Sequence, residues 1–149
     1  MGYISGFGTG FAALILALAA SPAAAAGTQI EVDISGVRNA RGAILVCLTA
    51  DPKAYPDCGR DPKSRKLSIP ARPSDTARFD NVPPGTYAIA LIHDENSNTK
   101  MDLAVFLPKE GFGMSRNPKI GFGPPKFKSA QFSVGADPVR LPITMRYMF

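Results

Sequence analysis

Between His93 and Asp102 the chain carries oxygen-bearing side chains at alternate positions: Asp94, Asn96, Asn98 and then Asp102, with the Lys100 carbonyl between the last two. Alternation on a tight loop turns such oxygens inward, and a hard cation wants about six to eight of them, so the pattern is that of a Ca²⁺ loop. Two positions depart from it. Thr99 stands where a glycine makes the sharp turn, and Val105 stands where a bidentate carboxylate closes the cage. Glu95 and Glu110 are the carboxylates that could complete the site from elsewhere. The competing reading is a metal-free Asx-rich turn whose side chains bond their own backbone. One structural Ca²⁺, weakly held, is the only cofactor the residues suggest.

The same carboxylates could serve hydrolysis. Asp94, Glu95, Asp102 and Glu110 would then have to place two carboxyl groups across a cleft, about 5–10 Å apart. His93 is the only histidine, and no Ser or Cys nucleophile has a matching context. A strand-end histidine bonded to the adjoining loop is the simpler expectation for it. A second group of residues suggests binding. Gly111-Phe112-Gly113 and Gly121-Phe122-Gly123 lie ten residues apart in a Gly- and Pro-rich connection, with Arg116 between them. Long irregular connections in compact domains are often functional. Phe112, Arg116 and Phe122 are therefore the candidate ligand contacts, with anchoring of the connection as the other role for the phenylalanines.

Two cysteines, Cys47 and Cys58, are expected to pair. That expectation depends on where the chain goes. Phe11–Ala20 is an unbroken small and apolar run, followed by Ala24 and Ala26 in an A-x-A pattern ahead of Gly27. This is the form of a secretory signal peptide, although no Lys or Arg precedes the apolar run. The run is shorter than the roughly 20 residues of a membrane span. Residues 1–26 are read as the signal and 27–149 as one domain, periplasmic or secreted, with no stable membrane span. An oxidising compartment favours the disulfide.

Charge is uneven. Residues 27–104 carry ten basic and ten acidic side chains, so the whole net charge of +5 lies in 105–149, with seven basic and two acidic. Such a patch suits an anionic envelope component or simply a solvated surface. Nucleic acid is excluded by the export pattern and the lack of a recognised binding motif.

The elements that must position these residues are strands. Gln29–Ile34 alternates apolar and polar residues, and Val139–Phe149 does so over its whole length. Ala43–Thr49 and Thr86–His93 are nearly continuous apolar runs, as a central strand requires, and Thr76–Val82 and Ala130–Val134 are shorter strands. Val82-Pro83-Pro84-Gly85 punctuates two of them, and Lys53–Lys63 reads as a loop. The expected fold is all-β, an immunoglobulin-like or prealbumin-like antiparallel β-sandwich of about seven strands.

Val82 to Tyr87, Ala88 to Asp102, and Pro108-Lys109-Glu110-Gly111-Phe112-Gly113-Met114-Ser115 together resemble a known family, the domain of unknown function 2141. Pro125-Lys126-Phe127-Lys128-Ser129-Ala130-Gln131-Phe132 matches a further element of its pattern. The resemblance implies a small exported bacterial sandwich in the envelope. It implies no activity and no catalytic residues. The reading that follows is a non-enzymatic binding or envelope-associated module of unknown ligand. The alternative is a hydrolase acting on envelope or carbohydrate material.

Overall fold

Alternation builds the first strand. In β1 (Thr28–Ser35) Thr28, Ile30, Val32 and Ile34 are buried, while Gln29, Glu31 and Asp33 are partly exposed. Successive side chains of a strand point to opposite faces, so one face of β1 meets the core and the other meets water. The computed structural model describes residues 2, 26–104, 107–121, 123 and 125–149. Nearly all of the expected signal segment lies outside the described residues.

The remaining elements are β2 (Ala43–Thr49), β3 (Arg65–Pro70), β4 (Asp75–Val82), β5 (Gly85–Asp94), β6 (Leu103–Ala104), β7 (Leu107–Pro108), β8 (Gly111–Met114), the single-turn helix α1 (Phe127–Ala130), β9 (Phe132–Val134) and β10 (Val139–Thr144). One sheet has the order β10-β1-β4, and the other β3-β2-β5-β8, with β9 on the first residues of β5. The hairpin β6–β7 stands apart. Ile30, Val32, Ile34, Ala77, Phe79 and Ile143 of the first sheet share one core with Ile44, Val46, Leu48, Ile89 and Leu91 of the second. The fold is thus a β-sandwich. Among the described residues no helix is long and apolar enough to cross a membrane.

Several details correct the sequence reading. β10 lies parallel to β1, from Ile30 opposite Val139 to Ser35 opposite Thr144, so the sandwich is not wholly antiparallel. Alternation is identical in both directions and cannot reveal this. The strands number more than seven because short ones were hidden. β3 alternates between partly and fully exposed positions and offers little apolar signal. β8 turns the first Gly-Phe-Gly unit, expected in an irregular connection, into a paired strand. Helix α1 takes Ala130, so β9 begins only at Phe132. β10 stops at Thr144, and of the residues beyond it Met145 is buried whereas Phe149 is exposed.

Proline sets the corner between the sheets. β4 pairs with β1, whereas β5 pairs with β2 and β8. Pro83-Pro84 therefore carries the chain from one sheet to the other, and the Tyr87 hydroxyl donates to the Pro83 carbonyl at 2.9 Å. Cys47 of β2 is joined to Cys58, with Cα atoms 6.2 Å apart. That separation is ordinary for a disulfide.

β5 explains its own continuous apolar run. Ile89 and Leu91 face the main core. Ala88 and Ala90 face outward, where they join Tyr55, Met114, Phe127 and Ala130 in a second apolar cluster. Both faces of this strand are covered, so neither carries a polar series.

Candidate functional site

β5 ends on His93 and Asp94, both fully buried. The Arg41 carbonyl can only accept, so the His93 Nε2 carries the proton that bonds it at 2.8 Å. Nδ1 then accepts from the Tyr147 hydroxyl at 2.9 Å, and that hydroxyl accepts the Arg38 N–H at 3.1 Å. The Arg38 guanidinium lies 4.5 Å from the Tyr147 ring centre and bonds both oxygens of Glu95. Both imidazole nitrogens are engaged in tying the strand end to the segments around Arg41 and Tyr147. Gly111 is required beside this array, because a Cβ there would overlap the Tyr147 ring.

The loop after Asp94 bonds mainly to itself. Asp94 accepts the N–H groups of Asn98 at 3.0 Å and Thr99 at 2.8 Å. Asn96 Oδ1 accepts Asn98 N–H at 3.1 Å, and Asn98 Oδ1 accepts Lys100 N–H at 2.9 Å. The side-chain amides of Asn96 and Asn98 both donate to the Asp102 carboxylate. Asp94, Asn96, Asn98 and Asp102 are thus brought together as the spacing suggested, and Lys100 takes part through its N–H. Thr99, in the glycine position of the Ca²⁺ pattern, adopts the left-handed conformation with φ +61°.

The two carboxylates considered as completing groups have opposite fates. Glu95 turns to Arg38 and Asn39, and the hydrogen bonds from the Arg38 guanidinium, helped by the Asn39 amide and the Arg38 charge, hold its carboxyl pKa down at about 2. Glu110 comes to the loop instead: its Oε2 accepts the Asp102 N–H at 3.2 Å. The side chain is 4 % exposed, and Oε1 meets no donor. Burial raises the Glu110 carboxyl above its ordinary value, and the nearby charges of Asp102 and Asp94 add to that. Among the described residues no three His, Cys, Asp or Glu side chains are grouped so that they could hold a metal ion.

The second feature is a groove of about 390 Å³ on the outer face of β5 and β8. Ala90, Ile92, Phe112 and Met114 form its floor. Met101, Leu103, Leu107 and Pro108, in and beside the β6–β7 hairpin, form one wall. Ile120, Gly121, Gly123 and Pro125 form another, with Met148 and the Pro56–Asp57 turn closing the ends. The alternation in β8 creates this floor. A Cβ on Gly113 would crowd Ile143 in the core, so the glycines of this unit face inward and Phe112 faces the groove.

Of the three residues expected to contact a ligand, Phe112 lines the groove. Arg116 does not line it. The Arg116 guanidinium donates to the Gln131 carbonyl at 3.3 Å instead. Phe122 lies outside the described residues. None of Asp94, Glu95, Asp102 and Glu110 lines the groove. The groove residues that sequence reasoning missed include Leu103, Leu107, Ile120 and Met148; for the first three the available clue was apolar residues in segments without a strand period, whereas Met148 falls in the alternating Val139–Phe149 stretch.

Ser115 was also missed as a keystone. Fully buried, it follows the last residue of β8 and continues the ladder with its side chain. The hydroxyl accepts the Ile89 N–H at 2.9 Å and donates to the Ala130 carbonyl.

The family model described as "Uncharacterized protein conserved in bacteria (DUF2141)" matches residues 32–141. The chain belongs to this family. The matched span includes the 94–102 loop, Glu110, β8 and Ser115, while the start of β1, the end of β10 and the residues after it lie outside it. No curated protein and no solved structure matches the chain.

Proposed function

We propose that this member of the family is an exported, non-enzymatic binding module that takes an apolar ligand in the groove over β5 and β8. The observation that carries the reading is where apolar surface is left open. Five large apolar side chains are exposed among the described residues, and four of them, Leu103, Leu107, Ile120 and Met148, line this groove. Scattered singly they would mean nothing, but gathered around a concavity they mark a binding site. Export is supported by the apolar Phe11–Ala20 pattern and by the Cys47–Cys58 pair, which belongs to oxidising compartments. A non-enzymatic role is supported by the carboxylates: each is bonded within the loop, to Arg38, or at the Asp102 N–H.

A neutral naphthylamine fluorophore tests this reading. It should brighten on binding the protein and weaken several-fold in affinity with Leu107→Asn or Ile120→Asn. Both residues are exposed, so the variants should melt like the parent. Equal binding by parent and variants, or none by the parent, refutes the groove.

A structural Ca²⁺ in the 94–102 loop is the second reading, favoured by the buried, unpartnered Oε1 of Glu110 beside Asp102. Asp94, Asn96, Asn98, Asp102 and the Lys100 carbonyl, with Glu110, would supply the ligands only after moving together, because among the described residues no three carboxylates are grouped around one point as the loop stands. The ion would have to displace the amides that now occupy Asp102. A ligand that binds only the folded state raises the melting temperature. Millimolar Ca²⁺ should therefore raise it relative to chelator in the parent and fail to do so in Glu110→Gln. No shift in the parent leaves the self-bonded turn as the whole account of the loop.

A further inference from the structure

Three lysines lie directly beside groove-lining residues in the chain. Lys109 follows Pro108, Lys119 precedes Ile120 and Lys126 follows Pro125, so each neighbours a groove-lining residue from a different stretch of wall. All three lysines are exposed. None of them is in an ion pair among the described residues, whereas Arg38, Arg41, Arg72, Arg78 and Arg140 all are. Among the described residues the only charged one in the lining itself is Asp57. Asp102, next to Met101, is already bonded by the Asn96 and Asn98 amides.

We propose that the groove holds the hydrocarbon chain of a free, single-chain anionic amphiphile, such as a fatty-acid carboxylate, with its headgroup among Lys109, Lys119 and Lys126. This rests on the groove being the ligand site. Charge complementarity chooses the headgroup: three exposed lysines with no ion pair among the described residues adjoin the lining in the chain, and an anion is the group they attract. Size chooses the single chain. About 390 Å³ is within the roughly 300–1,000 Å³ of sites for one small molecule. Backbone chemistry agrees with a chain rather than a polar ligand. Nothing lies within 4 Å of where a Cβ would stand on Gly121 or Gly123, so that wall leaves room at the groove edge. Phe112 offers its ring on the floor, and neither of the two buried side-chain oxygens left without a hydrogen bond among the described residues, Tyr55 Oη and Glu110 Oε1, belongs to a lining residue.

Calorimetric titration of the purified full chain tests the inference, with dodecanoate, dodecanol and dodecyltrimethylammonium kept below their micelle concentrations. Dodecanoate should bind roughly ten-fold more tightly than dodecanol at low salt, and the preference should shrink as salt screens the lysines. The cation should bind most weakly. Lengthening the acid from octanoate should tighten binding about four-fold per methylene that enters the groove. The triple variant Lys109→Gln, Lys119→Gln, Lys126→Gln should bind dodecanoate no better than dodecanol, with dodecanol binding unchanged. Equal binding of all three headgroups overturns the amphiphile while the groove stands. No binding of any overturns both. Binding to anionic phospholipid vesicles without binding to free dodecanoate also overturns the proposal, since it assigns the lysines to a membrane surface.

Discussion

Replacing Ser115 with alanine is the most informative single change, because three segments meet at one hydroxyl. The side chain is fully buried. It accepts the Ile89 N–H at 2.9 Å and donates to the Ala130 carbonyl, while its own N–H bonds the Ile89 carbonyl at 3.0 Å. Alanine fits the space and keeps the backbone bond. It leaves one buried N–H and one buried C=O without their partner. Two such losses sum to about 2–6 kcal/mol, and single substitutions rarely exceed about 4 kcal/mol, so Ser115→Ala should destabilise by roughly 2–4 kcal/mol. For a domain of about 120 residues this lowers the melting temperature by roughly 6–16 °C. Thermal and urea unfolding followed by circular dichroism measure it, and hydrogen exchange at the Ile89 amide locates it. Ser133→Ala, at an exposed position of β9, is the control and should stay within about 0.5 kcal/mol. A loss below about 0.5 kcal/mol for Ser115→Ala, with Ile89 exchange unchanged, refutes the reasoning that this hydroxyl completes the ladder.

Four further outcomes follow from the same geometry. Thr99 holds φ +61°, a conformation that costs a β-branched residue about 1–2 kcal/mol and glycine nothing. Thr99→Gly should gain roughly 0.5–1 kcal/mol in urea unfolding after the extra chain entropy is offset, and a loss would show that the threonine hydroxyl matters more than the strain. Glu95 is held at about 2 against an ordinary 4.5, so its pairing with Arg38 stabilises fully above about pH 4.5 and is lost as pH falls towards 2. The acid limb of a stability–pH curve should flatten in Glu95→Gln by about 1–3 kcal/mol, and an unchanged limb contradicts the pairing. Glu110 acts in the opposite direction, since a raised carboxyl favours the folded state when protonated and its contribution fades as pH climbs past 4.5. Reducing the disulfide, or Cys47→Ser with Cys58→Ser, releases a loop of eleven residues' separation. It should cost about 2–3 kcal/mol; a reduced protein with the same urea midpoint would show that packing alone fixes the Lys53–Lys63 loop.

The sequence by itself determined the strands whose patterning is local. β1, β2, β4 and β5 are legible because period-two alternation or continuous burial shows in the residues of one segment. The Asx-rich loop is legible for the same reason: its bonding partners are two to six residues apart. The pairing of Cys47 with Cys58 followed from an even count and an expected compartment. What the tertiary structure decided involves partners distant in the chain. That β10 runs parallel to β1 joins residues more than a hundred positions apart, and alternation carries no direction. That Gly111-Phe112-Gly113 is a strand depends on Tyr147 and Ile143 filling the space a side chain would need. Glu95 and Glu110 look equivalent as sequence, yet one is claimed by Arg38 and the other is buried against Asp102. The groove is the clearest case. Its lining comes from six separate stretches of chain, and an apolar residue declares itself exposed only when the fold leaves nothing to cover it.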